Sequence, residues 1–75
     1  MKVKSALEIS DRLVSWRMLD DASDVLVRCL DAHPFHPRLL RRLGRIRLAQ
    51  GRPEEAAPLL EQALAHQRLM QDVHG

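Results

Sequence analysis

An all-α fold is predicted by three features of the sequence. Apolar residues recur at spacings of three and four along four stretches, and no segment alternates with period two. Glycine and proline fall mostly between the apolar stripes, with Pro58 set inside one. The chain has 75 residues, 45% of them hydrophobic and 29% charged, which is the composition of one small globular domain. No apolar run approaches the roughly 20 residues of a membrane helix, and a carboxylate at Glu8 interrupts the N-terminus too early for a secretory signal. A cytoplasmic protein is expected, and the single Cys29, which has no second cysteine to pair with, agrees with a reducing compartment.

Helix one is predicted from about Val3 to Ser15, with Ala6, Leu7, Ile9, Leu13 and Val14 as its apolar face. Helix two covers about Leu19 to Ala32. Asp20, Asp21 and Asp24 favour the positive end of its dipole, and Ala22, Val25, Leu26, Cys29 and Leu30 face inward. His33-Pro34-Phe35-His36-Pro37 stops it, because neither proline can continue a helix and each disfavours the α conformation just before it. Pro37 then opens helix three, where its missing N–H costs nothing, and Gly51 follows the end of that helix near Gln50. Helix four opens at Pro53, buries Ala56, Leu59, Leu60, Ala63 and Leu64, and persists to about Gln67 with fraying towards Val73. Pro58 removes one hydrogen bond in its second turn, so a slight bend is expected there. Trp16, in the turn after helix one with Met18 and Leu19, is expected in the core.

Charge divides unevenly along the chain. Residues 3–36 hold four basic and six acidic side chains, whereas residues 37–70 hold seven basic and three acidic ones. Ten of the twelve basic residues are arginine, which suits bidentate contact with carboxylate or phosphate; a GC-rich bacterial genome explains the same bias. The net charge of +2 is too small to argue for nucleic acid.

A shift of 34 residues superposes Ala6 on Leu40, Ile9 on Leu43, Ser10 on Gly44, Ala22 on Ala56, Leu26 on Leu60, Cys29 on Ala63 and Leu30 on Leu64. The second half, with Leu40, Leu43, Gly44, Gly51, Ala56, Leu60 and Ala63 in place, resembles a tetratricopeptide repeat. The first half is a looser copy in which Ser10 and Arg17 replace the two glycines while Ala22, Leu26, Leu30 and Pro34 hold their places. The resemblance covers about residues 3–70 and divides them into a degenerate repeat, 3–36, a second repeat, 37–70, and a tail, 71–75, all in one domain.

This resemblance implies two antiparallel helix hairpins stacked as a right-handed α-solenoid fragment, with a concave surface lined by the first helix of each repeat. Such surfaces hold a peptide or helix of another protein. Its lining here is Lys4, Leu7, Glu8, Asp11 and Ser15 from helix one, and Arg38, Arg41, Arg42, Arg45 and Ala49 from helix three. The arginines at i, i+3, i+4 and i+7 form one basic strip whose mutual repulsion is relieved by an anion. That anion is either an acidic partner or Glu8 and Asp11 across the groove. A carboxylate clamp of the kind some relatives use needs lysine and asparagine where this chain has Leu7, Asp11 and Arg42, so it is disfavoured.

Two repeats leave apolar ends, because a solenoid is commonly stable only from about three. Leu59, Leu69, Met70 and Val73 at one end, and Val3 and Leu7 at the other, are the expected self-association surface. Three contacts could cover it: a second copy, acidic repeat against basic; a larger protein; or the next unit of a longer array. A tail folded back as a cap is the alternative.

Chemical sites are not expected. Cys29, His33 and His36 lie within eight residues, but Cys29 takes the small packing position that Ala63 takes in the other repeat, and no fourth zinc ligand is near. Gly44 and Gly51 make no phosphate loop, and the acidic pairs Asp20-Asp21 and Glu54-Glu55 start helices. No cofactor, metal or enzymatic activity is predicted. The expected function is protein–protein interaction, as an adaptor, scaffold or small chaperone; the alternative is nucleic-acid binding by the Arg38–Arg47 strip, with only Trp16 and Phe35 to stack on bases.

Overall fold

A computed structural model describes residues 2–74, with side chains as far as Arg68. Four helices follow in order: α1 (Val3–Ser15), α2 (Leu19–Ala32), α3 (Pro37–Ala49) and α4 (Pro53–His74). No strand occurs among the described residues, and no helix among them is long and apolar enough to cross a membrane.

The boundaries follow from local chemistry. After α1, the Arg17 amide donates to the Val14 carbonyl (2.9 Å) and the Met18 amide to that of Leu13 (2.8 Å). After α3, Gly51 donates to Leu48 (3.0 Å) and Arg52 to Arg47 (2.8 Å). This is the same paired closure of the last turn, which needs a left-handed residue just past the helix. Acidic residues fill the first turns of α2 (Asp20, Asp21) and α4 (Glu54, Glu55), and Pro37 begins α3. α4 remains helical through Pro58 and onward to His74, past the expected end near Gln67.

Each helix packs on the next, and α1 also packs on α3; among the described residues α4 touches neither α1 nor α2. The two antiparallel hairpins therefore lie side by side, and the four helices do not close into a bundle. The core sits where the first hairpin meets α3, built from Ala6, Ala22, Leu26, Cys29, Leu39, Leu43 and Ile46. Small residues set the spacing. Ala6, Ala22, Ala56 and Ala63 are buried at the helix crossings, and a Cβ added at Gly44 would lie 2.7 Å from Leu60 Cδ2. Ser10, at the position matching Gly44, is buried and satisfies its hydroxyl by donating to the Leu7 carbonyl (2.9 Å).

Four expected core residues are instead exposed. Trp16 is 66% exposed, and Ile9, Val14 and Leu64 also face outward. Ile9, Trp16 and Leu64 lie on sides of α1, of the turn after it and of α4 that have no neighbour among the described residues, whereas Val14 holds the place of Leu48, which is exposed as well.

Candidate functional site

The groove runs between α1 and α3. At its start lies a cavity of about 420 Å³ lined by Val3, Lys4, Leu7, Glu8, Asp11, His36 and Arg38. The first turns of α1 and α3 share this end because the intervening α2 reverses the chain. A second cavity of about 440 Å³ adjoins it on the far side of α3, lined by His36, Pro37, Arg38, Arg41 and Gln67 of α4. His36 and Arg38 belong to both.

Lys4, Asp11, Arg38, Arg41, Arg45 and Ala49 are exposed, while Leu7 and Arg42 are half-buried. Arg42 forms an ion pair with Asp11, joining α3 to α1 across the groove. Arg38, Arg41 and Arg45 have no ion-pair partner among the described residues. Of the two anions that could relieve the strip, an intramolecular carboxylate thus serves Arg42 and leaves three guanidinium groups facing solvent. Leu48, one turn beyond Arg45, is exposed and adds an apolar position to the same helix. Its spacing of seven from Arg41 could have marked it from sequence.

At the other end of α3, Arg47 donates to Gln50 Oε1 (2.8 Å) and Gln50 Nε2 donates to Asp20 Oδ1 (2.8 Å). This chain of polar contacts ties the end of α3 to the start of α2, so Asp20 does more than favour its own helix dipole. Periodicity carries no signal for such a contact across 30 residues.

His36 has a buried Nδ1 with no hydrogen-bond partner. Burial, then the nearby His33 and Arg38, hold its imidazole below the ordinary histidine range. Phe35 packs on His66 of α4 with ring centroids 5.0 Å apart, and His33 meets His36 edge-on at 6.4 Å. Cys29 is only 1% exposed, and among the described residues no group of three or more His, Cys, Asp or Glu is placed to hold a metal ion.

Of the residues expected at the apolar ends, Leu59 is half-buried against the core, as are Val3 and Leu7. The side chains of Leu69, Met70 and Val73 lie outside the described residues.

A family model for the tetratricopeptide repeat matches residues 17–74, which is α2 through α4. Comparison with curated proteins and with solved structures finds no match.

Proposed function

Because this chain belongs to the tetratricopeptide repeat family, whose members generally mediate protein–protein contact, we propose that it is a non-enzymatic interaction module that seats an acidic segment of another protein in the α1–α3 groove. In this reading residues 3–36 and 37–70 are its two repeats, and adaptor, scaffold or small-chaperone roles are variants of the same contact.

The observation that carries the reading is the row of Arg38, Arg41 and Arg45, exposed and without carboxylate partners among the described residues, with Arg38 lining the α1–α3 cavity and Arg41 the adjoining one. Like charges at helical spacings of three and four destabilise a helix by about 0.2–0.5 kcal/mol per pair, and carboxylates from a partner reverse that sign. Charge-assisted, bidentate contact is what guanidinium groups do best. Leu7 and Leu48 supply apolar contact on either side of the strip.

The test is binding of a fluorescently labelled, glutamate-rich amphipathic peptide, measured by anisotropy alongside circular dichroism. Arg41→Glu with Arg45→Glu should keep the helicity and weaken binding at least about tenfold. Loss of helicity would make the arginines structural, and unchanged binding would remove the groove. An oligonucleotide bound more tightly than the peptide, with steep loss as salt rises, would favour the nucleic-acid alternative.

A further inference from the structure

The two repeats provide their own template for a contact with a second molecule. Some positions of α2 become more exposed when carried onto α4 by the shift of 34 residues. Ser23 is buried and Ala57 exposed, Leu26 is buried and Leu60 half-buried, and Leu30 is half-buried whereas Leu64 is 53% exposed. The difference follows the neighbours: α2 packs on both α1 and α3, whereas among the described residues α4 packs on α3 alone. The reverse comparison identifies the other side. Leu43 (4% exposed) and Ile46 (3%) of α3 correspond to Ile9 (41%) and Arg12, which is exposed, and half-buried Gln50 corresponds to Trp16. The outer flank of α4 thus repeats the α2 surface that receives α3, and the outer flank of α1 repeats the α3 surface that α2 receives.

From this correspondence we infer that two copies of the chain stack end to end, with Ala57, Leu60 and Leu64 of one seated on Ile9 and Trp16 of the other. The contact continues the interface already present between the two repeats. Charge favours this pairing over pairing of like ends at one point: Arg12, at the place Ile46 takes in α3, lies on the α1 face, and Glu61 follows Leu60 on α4, both exposed. α4 runs as one helix to His74, so its last turns do not double back over its own flank. The interface is heterologous, each copy offering one face of each kind, and it does not close on itself. It goes beyond the groove and uses none of the groove arginines.

Sedimentation equilibrium of the 75-residue chain tests the proposal, with Trp16 emission as a second readout. The mean mass should rise with concentration while the emission shifts to the blue as the indole leaves water. Ile9→Glu and Leu64→Glu change exposed residues, so each should keep its helicity by circular dichroism and weaken association at least about tenfold. Mixed together, the two variants should form a one-to-one dimer that neither forms alone, because each retains the face the other has lost. Arg41→Glu with Arg45→Glu should leave association unchanged, which separates this contact from the groove. A wild-type chain that stays monomeric up to millimolar concentration would overturn the proposal. So would a dimer that survives both glutamate substitutions, or a mixture of the two variants that stays monomeric.

Discussion

Arg17 and Gly51, 34 residues apart, close α1 and α3 with the same left-handed backbone, at φ 62° and 76° respectively. Glycine adopts this conformation freely, whereas a residue with a Cβ pays roughly 1–2 kcal/mol for it. Arg17→Gly should therefore stabilise the fold by about 0.5–1 kcal/mol, the gain being reduced by the entropy glycine adds to the unfolded chain. Gly51→Ala should lose about 1 kcal/mol. Thermal melts followed by circular dichroism check both, since 1 kcal/mol shifts the midpoint of so small a domain by roughly 4–8 °C.

At Gly44 the limit is space. An added Cβ would approach Leu60 Cδ2 to 2.7 Å and Cγ to 2.8 Å, so the leucine must move. Alanine recovers about 1 kcal/mol of helix propensity, and Gly44→Ala should change stability by less than about 1 kcal/mol. Gly44→Val brings a larger, stiffer side chain and should cost about 2 kcal/mol or more. In urea titrations Leu60→Ala should return part of that cost, with a coupling of at least about 0.5 kcal/mol in the double-mutant cycle.

His36 makes stability depend on pH. Its folded-state pKa lies below the ordinary 6.5, through burial first and then His33 and Arg38; Lys4, Glu8 and Asp11 of α1 share its cavity. Between the lowered value and 6.5 the unfolded chain binds more protons than the folded one, so stability rises with pH across that window. The contribution is complete above 6.5 and is lost as the pH falls below it. His36→Gln should flatten this part of the profile in chemical denaturation at a series of pH values.

Cys29 is buried in the core, so its thiol meets an aqueous reagent only when the core opens. Labelling by a chromogenic disulfide should be slow in buffer and immediate in denaturant. Truncating Leu26, a fully buried neighbour, to alanine should cost about 2–5 kcal/mol and speed labelling many-fold. Rapid labelling of the folded wild type would contradict the burial.

The helices were legible from spacing, and their stacking from the family resemblance that the repeat of 34 carries. Pro37, Gly51 and Pro53 punctuate the chain where α3 begins and ends and where α4 begins, and the repeat of 34 reveals the hairpin. Trp16, Ile9 and Leu64 were misplaced for one physical reason: periodicity marks a face as apolar without saying whether a neighbour lies against it. A contact of Asp11 with the strip was one of the two expectations, but which arginine it takes, and the pairing of Gln50 with Asp20, depend on how two helices register, which no local pattern encodes. The strip itself was visible because all its members lie on one helix.

Parallel alignment of α1 and α3 gives the groove an electrical direction. Neither helix start has a side-chain cap: the side chains of Lys2 and His36, at the cap positions, make no hydrogen bond to a helix amide, so both sets of terminal N–H groups add their partial positive charge to that of Arg38 at the same end. The opposite end gathers the terminal carbonyls of both helices. For the acidic segment proposed above, carboxylates clustered near one terminus should therefore set its orientation, and reversing its sequence should cost affinity even at identical composition.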